Sequence, residues 1–195
     1  MIGKVVVAIL ALLTSLCSDS KDFYHRYYNN TYKYAIALPK DVRAREFNSE
    51  EADIIKGTDL TKAHNWIARL RVIPLEHTSD VRINSNDDLA RSAITECING
   101  CLGGGADLDI DCEPTDSISF ATLTSGVRYV KFYLIRHDND TYGSHTALVG
   151  PFYGFDISRP RRSFVLVISD GGYLMPLVND QRLQWQVAKS LVLTE

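Results

Sequence analysis

Neither sign of charge dominates this chain of 195 residues: 21 Lys and Arg stand against 24 Asp and Glu, for a net charge of −3. That balance excludes the concentrated basic surface on which general nucleic-acid binding depends. Motifs of chemistry are missing as well. There is no Gly-x-Ser-x-Gly nucleophile elbow, no His-Glu-x-x-His pair, no Cys-x-x-Cys and no P-loop or dinucleotide fingerprint. Histidines are few and scattered: His25, His64, His77, His137 and His145. Beyond the N-terminus no apolar run is long enough to cross a bilayer. Internal repeats and low-complexity tracts are absent, and the length fits a single domain.

The N-terminus holds the one long apolar run, Val5 to Leu13, preceded by Lys4 and followed by small or polar residues from Thr14 to Ser20. This is the pattern of an export signal, so residues 1–18 are expected to be a signal peptide. Cys17 lies shortly after the apolar run and is a candidate lipidation site, although Leu16 stands where a lipobox has a small residue. Ordinary cleavage near Cys17 or Ser18 is the alternative. In both cases the remainder is expected in an exported, periplasmic or envelope-attached setting where disulfides are permitted.

Residues 19–31 are polar and aromatic and read as a lead-in to a domain spanning 32–195. "YKYAIALP" alternates as a half-buried strand stopped by Pro39. "VRAREFNSEEADIIKGTDLT" is charged and irregular, with room for one short strand. In "HNWIARLRVIPL", Trp66, Ala68, Leu70 and Val72 share one side, with Arg69 and Arg71 opposite. The period then changes to helical. Ser85 or Asn86 can cap, Asp87 and Asp88 suit a helix N-terminus, and Leu89, Ala93, Cys97 and Cys101 recur at steps of four. Gly103, Gly104 and Gly105 are expected to end this helix. In "GVRYVKFYLIRHD", Val130, Phe132 and Leu134 face one way and Tyr129, Lys131, Tyr133 and Ile135 the other. "DNDTYGS" reads as a hairpin turn, and two further strands follow. A terminal amphipathic helix presents Leu183, Val187, Ala188, Leu191 and Val192. Strands joined by short turns pair antiparallel, so the expected class is α+β: an antiparallel sheet with flanking helices.

The opening "YKYAIALPKDV" and the closing "AKSLVL" resemble the ends of the PsbP/Mog1-like group. The glycine usual in the opening motif is Tyr34 or Ala35 here. The resemblance implies an αβα sandwich and a non-catalytic binding or assembly role; it transfers no site residue.

The segment "ITECINGCLGGGADLDIDCEPTD" concentrates chemistry-bearing residues. Cys97-x3-Cys101-x10-Cys112 lacks the close pairs of a structural zinc site. Asp107, Asp109 and Asp111 begin like a calcium loop, but Cys112 and Ile118 occupy the positions that need Gly and Glu. No metal and no cofactor is expected. A Cys101–Cys112 disulfide across the helix–strand corner is favoured, with Cys97–Cys112, Cys97–Cys101 and free thiols as alternatives. Three function classes stay open: an exported protein binding a protein partner, of inhibitor or toxin-immunity type; a metal-dependent or acid/base hydrolase of the envelope using scattered acids and histidines, with His137, His145 and Asp156 as the leading set; and a structural lipoprotein tethered through Cys17. Candidate partner contacts are Arg159, Arg161 and Arg162 of the loop "SRPRRS", together with Tyr153. In a eukaryotic host, Asn29 and Asn139 are glycosylation acceptors.

Overall fold

The computed structural model describes residues 23–57, 65–75, 83–101, 109–140, 143–159, 162–170 and 181–195. Eight strands form the main sheet in the order β3 (Val42–Glu46), β4 (Glu51–Lys56), β5 (Trp66–Pro74), β10 (Arg162–Asp170), β9 (Gly143–Arg159), β8 (Arg128–Asp140) and β6 (Asp109–Pro114), with β7 (Ser119–Thr122) also beside β8. A second sheet joins β1 (Phe23–Asn29), β2 (Tyr34–Pro39) and β11 (Val192–Leu193). Every pairing is antiparallel. Among the described residues two helices accompany the sheets, α1 (Asn86–Cys101) and α2 (Gln181–Lys189). The expected antiparallel α+β architecture with flanking helices is the one adopted.

The period of two along β10 divides the interior into two cores. Phe164, Leu166 and Ile168 face a core shared with β2, β4, β5 and the apolar side of α2. Val165 and Val167 face a core closed by Leu89, Ala93, Cys97 and Cys101 of α1. The main sheet thus has an α1 face and an α2 face. Helix α1 comes close to the sheet because β9 carries no side chain at Gly154, where a Cβ would lie 2.5 Å from that of Ala93. Its N-terminus is capped reciprocally: the Asp88 amide donates to Ser85 Oγ at 3.1 Å and the Ser85 amide to Asp88 Oδ2 at 3.0 Å. The Asp88 carboxyl is held below its usual pKa, most by hydrogen bonding from the Ser85 side chain and further by the Ser85 and Asn84 amides.

Three expectations are corrected. The lead-in is not loose, since residues 23–29 form β1 in register with β2. "VRAREFNSEEADIIK" makes two strands, β3 and β4, rather than one. Its charges hid them, because they sit on a partner-rich surface instead of marking a loop. The terminal helix ends at Lys189, and Val192 belongs to β11. Ser190 makes that switch: its hydroxyl donates to the Val187 carbonyl at 2.7 Å and accepts from the Ala37 amide at 2.8 Å. One side chain therefore serves the frayed helix end and a β2 amide that β11 does not reach.

Candidate functional site

The two covering layers are offset across the main sheet. On the α2 face, the outer part of β6, β8 and β9 has no element packed on it among the described residues. Successive same-face positions of β8 are Tyr129, Lys131, Tyr133, Ile135 and His137, a strip of about 26 Å at the usual rise of a strand. Leu148 of β9 lies directly opposite Ile135 and is 59% exposed. Tyr133 and Ile135 are half-buried, and Lys131 Nζ stands 5.6 Å from the Tyr133 ring centre. At the far end His137 Nδ1 is 3.0 Å from Thr146 Oγ1, and its Nε2 is 3.6 Å from Glu113 Oε1. The strip therefore runs from a cation through an apolar centre to a polar acidic end.

A bulge makes this surface. Phe132 pairs with Phe152 but Leu134 with Val149, so β9 holds one extra residue around Gly150 and Pro151. The bulge resets the parity, keeping Val149 and Phe152 together in the α1 core and turning Leu148 and Tyr153 to the α2 face. Helix α2 is fixed beside it by Gln184, which is buried and donates through Nε2 to the Pro151 carbonyl at 2.9 Å.

The near end of the strip opens into a groove of about 380 Å³ between α2 and the end of β7, lined by Thr122, Thr124, Tyr129, Trp185, Gln186 and Lys189 among others. Trp185 stacks on Tyr153, with centroids 5.3 Å apart and planes at 29°, and meets Tyr129 at 5.5 Å and 48°. Burial, with the neighbouring phenols of Tyr133 and Tyr129, pushes the Tyr153 hydroxyl up to about 12.

The residues singled out in the sequence do not converge here. Cys101 and Cys112 form the favoured disulfide, with Cα atoms 6.4 Å apart, and Cys97 is a buried free thiol. The alternative pairings fall, because α1 carries Cys101 at its last residue, where it can reach β6. Asp111 is exposed and Cys112 buried, as strand alternation requires. No group of metal-binding side chains occurs among the described residues. Tyr153 is a correction: only 3% exposed and stacked beneath Trp185, it is part of the core, so it cannot offer a surface contact. Arg159 and Arg162 close the β9–β10 ladder as a backbone pair, while their side chains and all of Arg161 lie outside the described residues. So do Cys17, Gly103, Gly104 and Gly105.

The hydrolase trio separates. His137 and His145 sit near the tip of the β8–β9 hairpin. Asp156 lies at the opposite end of β9, bound by the guanidinium of Arg128, whose Nη2 also reaches the Ile83 carbonyl at 2.8 Å. Asn29 is no glycan acceptor in this fold. It is 3% exposed, its Nδ2 donates to the Ser49 carbonyl at 2.7 Å and its Oδ1 accepts from the Tyr32 amide at 2.9 Å. The sequence reading missed Leu148, whose face is set by the bulge. It also missed Trp185 and Lys189, whose spacing of four on a helix was a usable signal.

No protein-family model and no curated protein matches the sequence. Among solved structures the chain is similar to cyanobacterial PsbP (CyanoP) from Synechocystis sp. PCC 6803, determined in solution. The TM-score is 0.51 at 12% identity, covering 90% of this chain and 95% of that one. The fold is thus PsbP-like, as the two terminal motifs implied. A crystal structure from Bacteroides thetaiotaomicron VPI-5482 aligns at a TM-score of 0.29 and 11% identity, over 84% of this chain and 46% of that one, and carries no argument.

Proposed function

We propose that this chain is a non-catalytic accessory protein of an exported, oxidising compartment, and that it docks a protein partner on the open α2 face of β6, β8 and β9. The observation that carries the reading is Tyr133, Ile135 and Leu148 side by side on a face over which no described element packs. An apolar patch rimmed by polar groups, here Lys131, Glu113 and His137, is the pattern of a protein interface. Its charge runs from positive to acidic along β8, and a partner segment of the reverse polarity would complement it.

The Cys101–Cys112 disulfide supports an oxidising setting, as found in the periplasm or cell envelope. The PsbP-like fold supports an accessory role by analogy alone. The finer form we give the role is that of an inhibitor or toxin-neutralising protein, which acts by occupying its partner's surface. Immobilised protein should retain one stoichiometric partner from envelope extract and reduce that partner's activity, and Leu148→Asp should abolish retention. A clean monomer that retains nothing, or retention unaffected by Leu148→Asp, overturns the reading. Attachment through Cys17 is tested separately by palmitate labelling that disappears in Cys17→Ser.

A further inference from the structure

The groove at the near end of the strip differs from the apolar face in both lining and charge. Its aromatic wall is Tyr129 and Trp185, two rings inclined at 48°. Its polar groups include Gln186 and Lys189 from one side of α2, Thr122 at the end of β7 and Thr124 from the turn after it. None of the lining residues is acidic, and Lys189 is the one cation among them. No carboxylate of the described residues pairs with Lys189, whereas Arg69, Arg71, Arg128 and Arg136 all have acidic partners. Ser190 also borders the groove, but its hydroxyl is engaged by Val187 and Ala37. A chain of net charge −3 thus holds a local cation beside two aromatic rings in a concavity of ligand size.

From this geometry we propose that the groove binds an aromatic carboxylate, the ring lying against Trp185 and Tyr129 and the carboxylate paired with Lys189. Aromatic pairs prefer offset or edge-to-face contact, and the inclined wall offers both. A carboxylate on an ammonium is a charge-assisted hydrogen bond, stronger than a neutral one. The positions on α2 fix the span: Lys189 lies one turn beyond Trp185, so ring and charge must be joined by a short linker. Two sources present that chemistry: a free aromatic acid, and the C-terminal aromatic residue of a polypeptide with its α-carboxylate. This site does not depend on the docking face, and its variants leave Leu148 untouched.

The test uses isotope-labelled protein and N-acetyl-L-phenylalanine, its amide, and a short alanine peptide ending in phenylalanine with a free or an amidated carboxyl. A ligand of this size binds in the millimolar range, well suited to chemical-shift titration. The free carboxylates should shift the Trp185 indole signal and leave that of Trp66 unmoved. Amidation, or Lys189→Met, should weaken binding about tenfold, as expected for loss of a charged hydrogen bond. Lys131→Met, removing the next cation along the face, should leave it unchanged. Binding of the small acid with exclusion of the peptide assigns the free-acid source, and binding of the peptide assigns a polypeptide end. Equal affinity for acid and amide, equal affinity in Lys189→Met, or no shift at Trp185 with any probe overturns the proposal.

Discussion

The main sheet leaves two regions beyond its helices, and the chain treats them in opposite ways. On the α1 face, β4 and β5 extend past α1 and carry Glu51, Asp53, Arg69 and Arg71. These join in one chain of alternating sign. Asp53, fully buried, accepts from Arg69 Nε at 2.8 Å; Arg69 Nη1 is 3.2 Å from Glu51; Arg71 is 3.4 Å from Glu51 and 2.8 Å from Glu96 of α1. The Arg69 guanidinium also lies over the rings of Phe47 and Trp66, at 5.8 and 5.7 Å from their centres. On the α2 face, the corresponding overhang of β6, β8 and β9 presents Tyr133, Ile135 and Leu148. The first region is satisfied by its own side chains. The second leaves apolar area in water, which association with another surface removes. Under the proposed function, recognition falls on β8 and β9 and scaffolding on β4 and β5.

The most damaging single change is expected in the self-satisfied region. Asp53→Ala leaves the Arg69 Nε donor without its buried carboxylate, and breaking a buried pair costs about 3–5 kcal/mol. Glu51 still neutralises Arg69, so a loss of about 3 kcal/mol is expected from urea denaturation. A loss below about 1 kcal/mol would show that the network is a solvated surface array and would undo the contrast.

Next comes the disulfide, which ties the end of α1 to β6, the edge strand of the open face. Its short loop, with a sequence separation of 11, contributes about 3 kcal/mol in the chain-entropy account. Cys101→Ser with Cys112→Ser should raise amide exchange in β6 and the adjoining part of β8 while sparing β4 and β5. Exchange that rises equally in all four would mean that the two regions do not open independently. Thiol titration of the denatured, unreduced domain should detect Cys97 and neither of the other two.

Alkaline pH acts in a graded way. Tyr153 is raised from 10.0 to about 12, and burial raises Tyr27 and Tyr34 in the same direction. The unfolded chain therefore loses these protons first. Their contribution to stability is complete below pH 10 and falls as pH climbs from 10 towards 12. Denaturation midpoints measured at increasing pH should be flat up to pH 10 and decline above it, with Tyr153→Phe shallower than wild type.

Legibility followed locality. The helix at 86–101 was readable because its cap, acidic first turn and apolar spacing all lie within its own residues. The faces of β8 were readable because a strand alternates whatever its neighbours. Pairing of Cys101 with Cys112 was favoured over Cys97 because it closes the shorter loop across the glycine return. What depended on distant residues was obscure. The charges of β3 and β4 looked irregular because the partners of Glu51 and Asp53 lie on β5. Tyr153 looked like a surface anchor because Trp185, 32 positions away, is what covers it. The bulge at Gly150 and Pro151 reverses the parity of β9, so Leu148 could not be assigned to the face of Ile135 from alternation alone.

The smallest effect on stability is expected at Leu148, and the contrast rests on it most directly. A 59% exposed leucine has little to lose on substitution, so Leu148→Asp should change stability by no more than about 0.5 kcal/mol. Its neighbours Ile135 and Tyr133 stay in place, because β8 is held on one side by β9 and on the other by β6 and β7. Partner retention should nonetheless vanish, since a carboxylate at the centre of an apolar contact is buried without a counter-charge. Lys131→Glu, at the rim, should weaken retention less and mainly in low salt. If Leu148→Asp instead destabilises the chain by about 2 kcal/mol or more, then Leu148 is packed against the protein's own chain, and the open face is core. Unchanged stability with lost retention is the one combination that keeps the apolar overhang as the docking region and the charged overhang as scaffold.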